Sequence, residues 1–184
     1  KGTWVVPTIV RKSGTALSSQ WVGIDGDGNH DLIQTGTQAV LADGQKGYGA
    51  WWEILPAPET SINHTVRPGD VMTATIVKDH HGWHITLRDR NRWTFEITRH
   101  YTGPGGSIEW IVEAPTIGNQ IAPMLHTTPV TFWGEQLNNK APHLLAKNAI
   151  QCVQHGVAVE TPSLANSKQA FTMAYGGRPP PPPR

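Results

Sequence analysis

Cysteine is almost missing from this chain. Cys152 is the only one among 184 residues, so no intrachain disulfide can form and packing must hold the fold. Charge is also scarce. Charged residues make up 16%, and 15 Lys and Arg face 14 Asp and Glu, for a net charge of +1. That balance excludes the basic footprint of a nucleic-acid binder and the acid run of a solvated tail. No apolar run approaches the roughly 18 residues of a membrane span, so no membrane partner is expected. Lys1 opens no signal-peptide pattern, which fits either an intracellular protein or a mature secreted form. Helical periodicity is lacking too, and Leu144 to Lys147 makes at most one turn.

What is plentiful points to strands and turns. Glycine (19) and proline (15) suit many short strands and argue against long helices. Strands are expected at Thr3–Val6, Gln20–Asp25, Leu32–Leu41, Tyr48–Leu55 and Val71–Val77. Others are expected at Trp83–Leu87, Trp93–Thr98, Ser107–Ala114, Val130–Trp133, Ala149–His155 and Ala170–Tyr175. Gly26 to Asn29, Asp43-Gly44, His80 to Gly82 and Asp89 to Asn91 read as turns between them. Such spacing predicts an all-β fold, an antiparallel β-sandwich of two curved sheets of the concanavalin or jelly-roll type. Residues 1–177 read as one domain. Residues 178–184 carry five consecutive prolines, which cannot join a ladder and should form a polyproline II arm.

Side chains alternate across a strand. Trp21, Gly23 and Asp25 therefore share one face, opposite Val22 and Ile24. Gln34 shares a face with Leu32, Gly36 and Gln38. Trp51 and Glu53 oppose Ala50, Trp52 and Ile54, and Glu109 and Glu113 oppose Ile108, Trp110 and Val112. If these strands neighbour one another, their second faces form a floor of Trp, Asp, Gln and Glu suited to a substrate groove.

Four blocks in order carry a resemblance. They are Trp21 to Asp27, Leu32 to Gly36, Tyr48 to Glu53, and Glu109 to Glu113. Together they resemble the glutamic peptidases, or eqolisins. The resemblance implies a two-sheet sandwich and a catalytic pair, Gln34 and Glu109, with Trp21, Asp25, Trp51 and Glu53 lining or supporting the groove. It implies a secreted, monomeric enzyme, present here in mature form without leader and pro-segment. It would act on proteins or peptides and need neither cofactor nor metal. Two departures stand out. The family usually has an acid where this chain has Gly49. Familiar members are rich in acid residues, whereas this chain is balanced, which points to an origin outside the usual fungal set.

The residue types suit the chemistry. One carboxylate can take a proton from water and later deliver it to the departing amine. An amide offers a carbonyl to orient that water and an N–H₂ for the developing oxyanion. A neutral partner adds no charge repulsion, so Glu109 should titrate near an ordinary glutamate, around 4.3, and the optimum should be acidic.

Other features have plainer readings. His80 to His84 could approach a zinc site, but no spacing completes four ligands, and a solvated hairpin is expected. Cys152, between Ile150 and Val153, reads as a buried structural thiol. Asn63-His64-Thr65 is a glycosylation sequon. The rival function is a carbohydrate-active sandwich, either a glycosidase or a lectin-like module. Eight tryptophans suit sugar stacking, and Glu109 and Glu113 are expected about 7 Å apart, within the glycosidase range.

Overall fold

A computed structural model describes residues 1–10, 13–118 and 120–184. Fifteen strands follow one another along them. They are β1 (Gly2–Val5), β2 (Ala16–Asp25), β3 (Leu32–Ala42), β4 (Gln45–Ile54), β5 (Thr60–Ile62), β6 (Val71–Asp79), β7 (Gly82–Asp89) and β8 (Trp93–Arg99). Then come β9 (Ile108–Glu113), β10 (Thr116–Ile117), β11 (Gln120–Ile121), β12 (Val130–Trp133), β13 (Cys152–Gln154), β14 (Val157–Pro162) and β15 (Phe171–Tyr175). One 3₁₀ turn, Ala146–Asn148, is the sole helical element among the described residues.

Two sheets make the sandwich. The larger runs β13-β14-β15-β12-β1-β6-β7-β8, and the smaller runs β5-β4-β3-β2-β9. The β10–β11 hairpin stands apart as a third, two-stranded sheet. All strand pairs in the three sheets are antiparallel, both the hairpins and the pairs joined by long crossovers. Trp4, Met72, Leu87, Phe132 and Met173 from the large sheet pack against Val22, Ala50, Trp110 and Val112 from the small one. Val22, Ala50, Trp110 and Val112 are on the faces that parity sets opposite the Trp21, Glu53 and Glu109 side.

The interior also holds polar groups. Trp4 Nε1 donates to Thr37 Oγ1 at 3.0 Å, Thr37 Oγ1 donates to Gln20 Oε1 at 3.3 Å, and Gln20 Nε2 donates to Ser18 Oγ at 2.9 Å. Each buried donor finds an acceptor, so the chain carries no desolvation penalty there.

Several expected elements shift. The strand anticipated over Ala149–His155 shrinks to Cys152–Gln154. Its partner β14, reached through His155 and Gly156 in left-handed conformations, was not anticipated. Positive φ at both central residues makes a tight hairpin turn, which is the signal a sequence reading could have used. Ile150 and Val153 point outward, 61% and 55% exposed, so Cys152 is only half-buried rather than enclosed. Of the proline arm, Pro183 O accepts a hydrogen bond from Asn166 Nδ2 at 3.0 Å. No helix among the described residues is long and apolar enough to cross a membrane.

Candidate active site

The small sheet lines up the expected residues in rows. Gly23 of β2 pairs with Gln34 of β3 on one side and Glu109 of β9 on the other. Gln34 in turn pairs with Glu53 of β4. Glu53, Gln34, Gly23 and Glu109 therefore form one row on the face turned away from the core. Strands lie about 4.8 Å apart, so the backbones of Gln34 and Glu109 stand about 10 Å apart with no side chain between them. A Cβ on Gly23 would come within 2.7 Å of the Trp21 ring and 3.0 Å of Leu32.

The next row is Trp51, Gly36, Trp21 and Ile111. Trp21, Trp51 and Leu32 form a small buried cluster with Ile111 packed against it. Gly36 is obligatory here, because a Cβ would meet the Gln20 carbonyl oxygen at 2.2 Å. Both indoles are anchored in the row beyond. Trp21 Nε1 donates to Glu113 Oε1 at 3.0 Å, and Trp51 Nε1 donates to Ser19 Oγ at 3.1 Å. The two tryptophans are thus a fixed floor.

Gln34 is 5% exposed. Its Nε2 donates to Glu53 Oε2 at 2.6 Å, while its Oε1 is buried without any partner among the described residues. The Glu53 carboxylate accepts, so it selects which end of the amide turns its way. The carbonyl oxygen is left for something else. A buried acceptor with no partner costs about 1–3 kcal/mol unless water or a ligand reaches it.

Glu109 is held differently. Ser107 Oγ donates to Glu109 Oε1 at 3.1 Å, and the Asp27 amide N–H lies 3.3 Å from Ser107 Oγ. Gly26 sits so close that a Cβ there would be 3.2 Å from both carboxylate oxygens. Burial raises the Glu109 pKa, the Ser107 hydroxyl and Asp27 amide oppose the rise, and the Asp27 and Asp25 charges add to it. The expectation of an ordinary value gives way: removing water outweighs the benefit of a neutral partner. Burial likewise raises Glu53 and Glu113, against the hydrogen bonds from Gln34 and Trp21 respectively.

Asp25 does not join the groove face. Its φ of 69° turns its side chain out of the alternation, and it is fully buried. It accepts from Tyr101 OH at 2.6 Å, Gly106 N at 2.7 Å, Gly105 N at 3.0 Å and Asn29 Nδ2 at 3.4 Å. Burial alone would raise its pKa, but these donors together hold it below the usual range. Asp25 thus clamps the loop before Ser107 and fixes where β9 begins. Ser107 itself was not singled out from the sequence, because a serine two residues before a glutamate is too common a pattern.

Position 49 has no acid, yet a carboxylate reaches its row. Gln38, the register partner of Gly49, donates to Glu59 Oε1 at 3.3 Å. Glu109 and Glu113 share a face but lie four residues apart, about 13 Å along a strand rather than the expected 7 Å. His80 and His81 occupy an exposed turn, and His84 is engaged by Asp79 at 2.8 Å and Thr98 at 2.9 Å. Burial and the charges of Glu113 and Glu160 raise the Cys152 thiol pKa, against the Ala114 amide N–H that the sulfur accepts.

Known proteins show the same architecture. A model described as the Peptidase A4 family matches residues 1–175. Aspergillopepsin-2 from Aspergillus niger is 28% identical over 137 residues, 66% of this chain and 46% of that protein. The chain thus spans a little under half the length of that relative. The crystal structure of aspergilloglutamic peptidase from Aspergillus niger superposes with a TM-score of 0.75 at 24% identity, covering 87% of this chain and 99% of that one. Scytalido-glutamic peptidase, solved with a transition state analog inhibitor, gives 0.76 at 19% identity, covering 95% and 90%. At these identities the likeness is one of fold.

Proposed function

The chain belongs to the peptidase A4 family, and on that premise we propose that it is an acid endopeptidase using Glu109 as base and acid and Gln34 as its partner. One observation carries this reading. Gln34 and Glu109 flank Gly23 in a single row, and the buried Gln34 carbonyl oxygen lacks a partner among the described residues.

A water between them would donate one hydrogen bond to Gln34 Oε1 and another to Glu109. Glu109 takes the proton as the water oxygen bonds to the peptide carbon. The second N–H of Gln34, not used by Glu53, donates to the oxyanion. The protonated Glu109 then gives its proton to the amine nitrogen, and the C–N bond breaks. Base, acid and oxyanion donor all come from these two side chains, so the reaction would need no metal. The partner is an amide rather than a second carboxylate, which favours insensitivity to pepstatin.

The raised Glu109 sets the lower edge of the working range. A base must be ionised, so activity should fall as pH drops through its pKa. Secretion, a monomeric state, peptide substrates, and a peptidase unit ending near residue 177 belong to the same proposal. The glycosidase rival weakens, because about 13 Å exceeds the roughly 5–10 Å a glycosidase pair needs.

A casein digest between pH 2 and 6, with pepstatin and EDTA present, tests the reading. Wild type should cleave, and Glu109→Gln and Gln34→Ala should each lose at least about 10²-fold in kcat. Failure of wild type to cleave anywhere in that range would overturn the proposal.

A further inference from the structure

β9 is an edge strand of the small sheet, paired with β2 alone. The Asp25 amide donates to the Ser107 carbonyl at 3.0 Å, which fixes the phase of the ladder. Residues 107, 109, 111 and 113 therefore bond inward to β2, and the N–H and C=O groups of Ile108, Trp110 and Val112 face outward. Among the described residues no backbone group pairs with those three. The open stretch is about 13 Å long. It closes where Cys152 Sγ accepts the Ala114 amide.

That edge does not face bulk solvent. It opens into a cleft of about 970 Å³ that also takes in Trp21, Glu109 and Glu113 of the candidate active face. The inner wall is apolar, with Phe171 and Met173 of β15. On the outer wall Ile150 and Leu164 are 61% and 60% exposed. Natural edges are usually blunted by lysine, proline or a bulge. Ile108–Val112 itself carries no lysine, proline or bulge, its register with β2 is unbroken, and Pro142 and Lys147 are among the residues that line the cleft beyond it.

We infer that this edge takes up an extended stretch of the polypeptide substrate, outside the bond being cut, as a sixth strand beside β9. The inference rests on the peptidase reading for the identity of the occupant, because the cleft is continuous with Glu109. Unpaired ladder groups select an extended main chain, and strand addition supplies affinity through the backbone. The added strand turns alternate side chains inward beside Trp110 and Val112, so those positions should be apolar. The intervening ones lie on the Glu109 side and can be polar.

The test uses a short cleavable peptide and versions lengthened at either end by five residues alternating valine and threonine. One lengthened version should lower KM about tenfold or more with kcat unchanged. N-methylation on the parity that faces β9 should abolish the gain, and on the other parity should leave it. Ile150→Glu and Leu164→Glu should weaken the lengthened peptide alone. Fluorescence anisotropy of the labelled extension on Glu109→Gln protein reads docking independently of cleavage. If nothing is cleaved but the extension binds with the stated parity, the catalytic reading fails and the docking site stands. Equal KM values at both ends, no dependence on parity, or self-association through β9 in sedimentation would overturn the docking site.

Discussion

The Ser107 hydroxyl donates to Glu109 Oε1 at 3.1 Å. Its donated hydrogen bond favours the ionised carboxylate. Ser107→Ala should raise the pKa that governs the acidic limb of kcat/KM, so activity is lost first at the lowest pH. Ser107→Thr should restore the limb. A profile unmoved by the alanine would deny Ser107 any part in tuning the base. Glu53 acts on the partner in the same indirect way. Glu53→Gln presents an amide to an amide, and Gln34 can then bond in either orientation. A fall in kcat of about tenfold, with KM little changed, is the expected kinetic split. Asp25→Ala strips an acceptor from four donors. It should cost about 3 kcal/mol or more of stability, read from urea midpoints.

At the scale of elements, the register of β2 against β3 depends on Gly36. Gly36→Ala would drive a methyl into the Gln20 carbonyl, and a loss of about 1–3 kcal/mol or more is expected in chemical denaturation. Strand alternation made this sheet readable in advance. Trp21, Gln34, Trp51, Glu53 and Glu109 all fall on the predicted face, because each sits inside a regular strand where parity holds. Asp25 escaped the same logic by one residue. A left-handed φ at the strand end reverses the side chain, and no sequence pattern announces it. β5 and the β10–β11 hairpin escaped because strands of two or three residues carry no measurable period. β14 escaped because buried Glu160 and Thr161 break its apolar pattern.

At the scale of the molecule, buried acids set how stability varies with pH. Burial lifts Glu135 to about 7 and Glu160 to about 8, and both are nearly inaccessible, at 3% and 2% exposure. Among the described residues no hydrogen-bond partner reaches either oxygen of Glu135. Below the unfolded value near 4.5 both groups are protonated in either state, and their burial carries no ionisation penalty. As pH rises above that, only the unfolded chain ionises, and the folded state loses ground until pH passes 7 and 8. Urea midpoints should therefore be higher at pH 5 than at pH 8, by an amount on the order of 3 kcal/mol for each group. Glu135→Gln and Glu160→Gln should shrink the difference. A midpoint that rises towards pH 8 would mean that Glu135 and Glu160 do not set the trend.

Gly23 was described as a position with no side chain between Gln34 and Glu109. The Trp21 ring fills the space where its Cβ would stand, while the same indole is tied through its N–H to Glu113. On the proposed mechanism, the ground beneath the reacting water is thus not backbone but a slab of aromatic carbon, lent by the neighbouring row. Such a surface offers a water nothing to bond to from below. On that mechanism its polar grips are lateral, from the amide on one side and the carboxylate on the other. A single methyl at residue 23 would tilt the slab, loosen Glu113, and give the water a third direction in which to wander.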